Sequence, residues 1–515
     1  MDLQNQFATM FGLTGGVNST LHQFGITFSP GLLKVQAYQL PRPQIQYGGN
    51  KRADPKDDTS WNMDRLLKAA RLPRCLVLEI KSSDTPSNLE RIRDTVARIF
   101  DSCRRLGMIT AGRVDSNDYL TAELPTHGDS DVQSIIERFN DIRDNVGESD
   151  NPPIVLCFLP SANPKIYNAV KRGGDIIAGV LTVCLSCDKV IYKRAADAYF
   201  TNLALKLNLK SGGVNHSTQG ELKLRNIFRA YERNEVMLMG ADVSHSGSRV
   251  LPSITAVVAT YEASQSRPYA SIDIQKNGEM IQKLKEGFLE RLRLFKKKNS
   301  KLPASIVMFR DGVSESQYKE VMNEEITKME EALQECVRSE PRGTAKPKLT
   351  VVVVGKRHQT RFFPVNPGIR DNINTPAGLV VDRGVTAIYE RDFFLQAHHA
   401  IMGTARPAHY FVLQDENGFT ESQIQELTNI WSYTFGRSMR SVSYAPTAYC
   451  ADLACGRARA WIQPGIDAIR AARPTAPPAS DKAAVDELAS ANLRTIQDGA
   501  TIQLHPRLRE TMWYI

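Results

Sequence analysis

The sequence predicts an α/β protein built around parallel strands, and three observations lead to that class. An apolar run ending in an aspartate occurs twice, in Val236-Met-Leu-Met-Gly-Ala-Asp242-Val-Ser-His245 and in Ser305-Ile-Val-Met-Phe-Arg-Asp311-Gly312-Val313. Runs of this length closed by Gly and polar residues read as buried strands. Strand patterns alternate with amphipathic helical ones around them, and the β-branched run Leu349-Thr-Val-Val-Val-Val354 reads as a sheet centre. If the first two strands lie side by side and parallel, Asp242 and Asp311 emerge at one end of one sheet. Two converging carboxylates with no fixed cation suggest a divalent metal site, although each aspartate alone is equally an ordinary turn residue.

Taken in order, residues 1–72 are irregular, and Pro41-Arg-Pro-Gln-Ile-Gln-Tyr47 reads as an extended linker laid across a neighbour. This opening reads as the end of something longer. From Cys75 a first α/β unit begins, with a strand at Cys75–Ile80, a helix from Asn88 to Leu106 and a strand at Pro153–Leu159. A helix follows at Lys165–Arg172, at the carboxyl edge of the sheet, where phosphates bind readily. Tyr167 and Lys171 are four residues apart and share a helix face, pairing a ring for a base with an ammonium for its phosphate. Lys206 and Lys210 precede Gly212-Gly213, so charge and backbone N–H groups can meet one anion. A solvated basic face with a glycine cap is the other reading.

A second unit opens near Asn234 and continues through strands at Ser253–Thr260 and Tyr269–Ile274 and helices near 280–298 and 315–336. Lys356-Arg357-His358-Gln-Thr-Arg361 follows the valine strand, either to grip a phosphate backbone or as an exposed strand end. In the helix spanning Thr447 to Trp461, Asp452 and Arg457 point to different sides, so one helix can serve two sites. Ala471–Glu487, rich in Ala and Pro, reads as a loop insertion or disordered excursion. The closing apolar residues should be tied down.

With 65 Lys+Arg against 56 Asp+Glu, the 515-residue chain carries +9, compatible with an anionic partner without requiring one. Eight cysteines without a secretory leader suggest a reducing, cytoplasmic setting, with a nuclear pool allowed. Cys184-Leu-Ser-Cys187 is a lone C-x-x-C, read as packing residues with redox chemistry as the alternative. No apolar run is long enough to span a bilayer, so no membrane partner is expected.

Five segments together carry a resemblance: Gly240-Ala-Asp-Val-Ser-His245, Arg310-Asp-Gly-Val-Ser-Glu315, Lys356-Arg-His-Gln-Thr-Arg361, Gly403-Thr-Ala-Arg-Pro-Ala-His-Tyr410 and Ala451-Asp-Leu with Arg457-Ala-Arg459. In this order they resemble the MID and PIWI lobe of a eukaryotic Argonaute, with insertions suggesting a fungal member and nothing resembling the N-terminal and PAZ domains. The resemblance implies a linker at 1–72, a Rossmann-like MID domain at 73–232 and an RNase H-like PIWI domain at 233–515. It also implies catalytic roles for Asp242, Glu279, Asp311 and Asp452, with Asp242, Asp311 and Asp452 holding two Mg²⁺ or Mn²⁺ ions. Asp452 stands where animal members commonly have histidine.

For the guide's 5′-phosphate and first base it implies Tyr167, Lys171, Lys206, Lys210 and Arg457. Val183 replaces a glutamine there, and Thr182 and Cys184 are expected to supply the missing contact. Lys356, Arg357, Arg361, His398 and Arg406 are expected along the nucleic-acid backbone. The implied partners are a small 5′-phosphorylated guide RNA, a complementary target RNA and silencing-complex proteins. The implied function is guide-directed endoribonuclease activity in RNA silencing, and the alternative is a guide-binding module that recruits partners without cutting.

Overall fold

The computed structural model describes residues 32–110, 114–125, 132–147, 151–193, 195–218, 222–227, 235–365, 374–472, 477–478, 480–498 and 502–515. The start of the leading segment, residues 1–31, lies outside these. The rest of that segment contributes short strands β1 (Tyr38–Gln39), β2 (Ile45–Tyr47) and β3 (Lys51–Ala53). It behaves as the extended strap its prolines predict: β1 joins the edge of a distant sheet, and Pro41 O accepts a hydrogen bond from Asn429 Nδ2 at 3.1 Å.

The first α/β unit is a four-stranded, all-parallel sheet of β4 (Cys75–Ser82), β5 (Tyr119–Leu124), β6 (Ile154–Leu159) and β7 (Leu181–Ser186), ordered β5-β4-β6-β7. Every residue of β6 is buried, as expected for a parallel strand covered on both faces. Helices α1 (Leu89–Arg105), α2 (Gln133–Asn145), α3 (Pro164–Arg172) and α4 (Asp197–Lys210) surround it. Asn163 caps α3 by accepting from the Lys165 N–H, so the helix starts directly after β6.

The second unit is a nine-stranded mixed sheet. Its strands are β8 (Val236–Ser244), β9 (Ser253–Ala259), β10 (Tyr269–Gln275), β11 (Ser305–Asp311), β12 (Lys348–Gly355), β13 (Leu379–Val381), β14 (Asp392–Gln396) and β15 (Ala408–Asp415), together with β1. The order β1-β13-β14-β15-β12-β11-β8-β9-β10 puts the valine strand β12 at the centre, as expected. Among the described strands only the pairs β8–β11 and β11–β12 are parallel; β8 meets β9, and β12 meets β15, antiparallel. Helices α5 (Leu284–Asn299) and α6 (Thr327–Arg338) pack on one face, while α7 (Glu421–Trp431) and the start of α8 (Pro446–Ala472) cover the other.

One expectation is corrected here. The Ala/Pro-rich stretch is not a loop throughout: α8 runs to Ala472, and a helix α9 spans Lys482–Asp498. Alanine is the strongest helix former, and beyond Pro478 nothing breaks the helix, so low apolar bulk here signals a half-exposed helix. Ile496 on its inner side packs beside Gly465 of α8.

Candidate active site and anion pocket

Asp311 ends β11, and Asp242 stands two residues before the end of β8, the adjacent parallel strand. The register pairs Arg310 with Ala241, which places the aspartates side by side one residue later. The third carboxylate arrives on α8, and Gly240 explains how the helix gets close enough. A Cβ there would lie 2.3 Å from the Thr447 carbonyl carbon, so only glycine admits the first turn of α8 against β8. Thr447 Oγ1 donates to Met239 O at 2.8 Å and fixes the contact. Asp452, five residues on, then faces the strand ends.

The electrostatics record the crowding. Burial, with Asp311 and Asp452 nearby, pushes the Asp242 carboxyl up to about 7. Burial chiefly, with Asp452 adding and the Gly312 N–H opposing, pushes Asp311 up to about 6. Partial desolvation also raises Asp452, with Arg357 opposing. Gly312 adopts φ +89°, and its N–H donates to Asp311 Oδ1 at 2.7 Å. A Cβ on it would stand 3.2 Å from Glu279 Oε1 and 3.4 Å from Asp242 Oδ1, so this glycine lies between two carboxylates.

Glu279 sits in the loop between β10 and α5, not in the first turn of a helix. Its Oε1 accepts from Arg310 Nη1 at 3.0 Å, its main-chain O from Arg310 Nη2 at 2.6 Å, and its Oε2 meets His245 Nε2 at 2.9 Å. Arg310 is fully buried and is also gripped by Glu325, whose Oε1 accepts from the Ile281 N–H at 2.9 Å. Sequence reasoning gave Arg310, His245 and Glu325 no role. The signal available was an arginine inside an otherwise apolar strand, which has to find a buried anion.

Among the described residues, no three His, Cys, Asp or Glu side chains form a finished cation cage. The donor set nevertheless suits a divalent ion: three hard carboxylate oxygen donors, all with raised pKa, arranged so that a dication would relieve their repulsion.

The other predicted set also converges, in a cleft between the two units. Lys171 is buried, and its Nζ lies 3.0 Å from Thr182 Oγ1 and 5.1 Å from the Tyr167 ring centre; the ring itself is 40% exposed. Arg457 reaches in from α8 and donates to Thr182 Oγ1 at 2.8 Å. Lys210 Nζ donates to Trp513 O at 2.8 Å and Met512 O at 3.3 Å, tying down the C-terminal segment as expected. Lys206 makes no hydrogen bond or ion pair among the described residues. Burial and the neighbouring Lys171, Arg437 and Arg457 hold its pKa well below the usual ammonium range; burial, Arg457, Lys206 and Lys171 do the same to Lys210. Val183 points into the opposite core, whereas Thr182 and Cys184 share the pocket face. The Thr182 hydroxyl serves to orient Lys171 and Arg457.

Asp175 is the residue sequence reasoning missed. It is fully buried, and its carboxylate accepts from Arg457 Nε at 2.7 Å, Arg457 Nη2 at 2.9 Å and Trp461 Nε1 at 3.0 Å. Burial works against the Arg457 charge and Asp175 more than restores it. Gly-Gly-Asp reads as a turn in sequence, and its partner lies 282 residues away.

The predicted backbone contacts lie beyond β12 and before β15. Arg357 and Arg406 are exposed, Arg361 Nη1 is held by His358 O at 2.9 Å, and Lys356 Nζ contacts Ser443 Oγ beneath the Tyr444 ring. His398 differs from the cations around it, since burial, Lys356 and His399 lower it to about 4 and leave it neutral.

A family model described as Piwi domain matches residues 154–463, more than half the chain. Protein argonaute 2 of Oryza sativa subsp. japonica is 32% identical over 453 residues, covering 86% of this chain and 42% of the relative. The chain thus spans under half the length of the curated relatives it matches. The C-terminal lobe of a budding yeast Argonaute superposes with a TM-score of 0.76 at 23% identity, covering 93% of this chain and 95% of that one. Kluyveromyces polysporus Argonaute with a guide RNA gives 0.77 at 24%, covering 94% and 54%. The α/β architecture is that of the Argonaute MID-PIWI lobe, with an RNase H-like sheet in the second unit.

Proposed function

We propose that this chain, which belongs to the Argonaute family, anchors the 5′-phosphate of a small guide RNA in its cation-lined cleft and cuts complementary target RNA at its carboxylate cluster. The observation that carries this reading is helix α8. It brings Asp452 to the aspartates of the second unit and Arg457 to the lysines of the first, so one rigid element joins a site that wants cations to a site that wants an anion.

In this reading Lys171, Lys206, Lys210 and the unused Nη1 of Arg457 receive the phosphate, and Thr182 and Asp175 hold two of those cations in place. Tyr167 offers its exposed face to the first base, with Cys184 at the rim. Lys356, Arg357, Arg361 and Arg406, with neutral His398, line the sugar-phosphate path, and base pairing supplies the sequence choice. Asp242, Asp311 and Asp452 would hold two Mg²⁺ or Mn²⁺ ions, and Glu279, fixed by Arg310 and His245, closes the set. Such ions supply Lewis acidity that activates water and offsets charge on the leaving oxygen. We place the activity in a reducing, cytoplasmic setting.

The test uses a 5′-phosphorylated guide, a labelled complementary target, and Mg²⁺ or EDTA, comparing this chain with Asp242→Ala and recording guide retention in the same tube. A Mg²⁺-dependent cut at one position, lost in the variant, is the expected result. Guide retained with no cut would replace this reading with that of a binding module that recruits silencing partners. The engagement of both Glu279 oxygens by protein partners is the observation on that side.

A further inference from the structure

The C-x-x-C motif does not work as a motif in this fold. Cys184 lies on the pocket face of β7, two residues after Thr182, whereas Cys187 lies past the strand end in the opposite core. Burial, with Glu79 nearby, pushes the Cys187 thiol up to about 11. The neighbour of Cys184 is Cys157, its register partner across the parallel β6–β7 pair, and the two pack in the same core. Adjacent strands run about 4.7–4.9 Å apart, inside the roughly 4.4–6.8 Å Cα window of a disulfide.

Of the eight cysteines, seven are buried and Cys184 alone is partly exposed. It opens onto the cleft that holds Lys171, Arg457 and the unpartnered Lys206. Partial exposure gives a peroxide access to this sulfur, and the positive charge lining the cleft offsets the negative charge that develops there during attack. We propose that Cys184 is a peroxide-reactive thiol in the anion cleft and that Cys157 resolves it as a disulfide. The Cys184 thiolate attacks one oxygen of a hydroperoxide such as H₂O₂, giving the sulfenic acid and releasing hydroxide. The Cys157 thiol then displaces the sulfenic oxygen, which leaves as water with the thiol proton, and the S–S bond forms. The bond pins β6 to β7 and draws the Cys184 sulfur out of the cleft. The effect on phosphate binding rests on the function proposed above; the thiol chemistry does not.

The experiment treats the whole chain with H₂O₂, blocks remaining thiols with iodoacetamide and maps linked peptides by mass spectrometry, with and without 5′-phosphorylated or 5′-hydroxyl RNA. The expected product is a Cys157–Cys184 linkage, reversed by dithiothreitol. It is absent in Cys157→Ser, where dimedone captures Cys184 as sulfenic acid. Should the buried serine impair folding, Cys184→Ala at the rim removes the linkage equally. Lys206→Gln should slow the reaction about tenfold. Cys184 remaining fully alkylatable, oxidising without linking to Cys157, or reacting at an unchanged rate in Lys206→Gln would overturn the proposal. Linkage that forms equally with both RNAs supports the thiol chemistry and counts against the phosphate-cleft reading instead, whereas protection by the phosphorylated RNA alone supports both.

Discussion

Replacing Asp242 by Asn should make the metal-free protein more stable, and increasingly so as pH rises. The wild-type carboxyl sits at about 7 in the fold against 3.8 for a freely solvated aspartate. The folded state therefore binds the extra proton, and stability is lost as pH climbs from about 4 through 7. A rise of about three units at roughly 1.4 kcal/mol each amounts to about 4 kcal/mol above pH 7, and to about 2 kcal/mol at pH 5. Asparagine carries no charge and keeps the shape, so it escapes this cost. Urea denaturation in EDTA at pH 5 and pH 8 measures it: the gap between variant and wild type should widen by about 2–3 kcal/mol. Mg²⁺ should then stabilise the wild type more than the variant. A gap that stays flat with pH would refute the claim that burial and like charge crowd this site.

Gly240→Ala forces α8 off β8, because the obstructing atoms are backbone, and should cost about 3 kcal/mol in a denaturation assay. Asp175→Ala leaves Arg457 buried without its partner and should cost about 3–5 kcal/mol, with weakened binding of 5′-phosphorylated RNA in a filter assay. His216, buried against Tyr433 O at 2.8 Å and lowered by burial to about 4, must take up a proton on acid unfolding. Its contribution of about 3 kcal/mol is present above pH 6.5 and lost as pH falls through 4, which urea titrations across that range would reveal. Because Lys206 and Lys210 lie below the usual ammonium range before any anion arrives, phosphate binding should draw protons in. Affinity should then fall on the alkaline side, and calorimetry at pH 8 in two buffers of different ionisation heat should show net proton uptake.

What could be read in the sequence was what chain neighbours determine. The strands ending at Asp242 and Asp311 announce themselves by an apolar run and a polar stop, and their pairing followed from strand-helix alternation. The two directions served by α8 followed from 100° per residue. What could not be read depends on register and on distant contacts. The C-x-x-C spacing suggests two thiols that could meet, yet strand alternation sends them to opposite faces, and the closer thiol comes from β6. Asp175 and Glu325 look like surface acids until the buried arginines that need them are in place. The Ala/Pro-rich stretch was misread because composition stood in for order: its prolines end before its helix begins.

Gly240 has a consequence beyond packing. By letting α8 lie directly on β8, it fixes the helix as a caliper whose two jaws are the strand ends and the cation cleft. Asp452 and Arg457 are five residues apart, about 7.5 Å along a rigid axis, and a single inserted residue would turn one jaw by about 100° relative to the other. On the proposed reading, a nucleic acid gripped by its terminal phosphate meets the carboxylates at a constant count of nucleotides whatever its sequence. The cut position would then be counted from the anchored end by covalent geometry, and changing it would require rebuilding the helix.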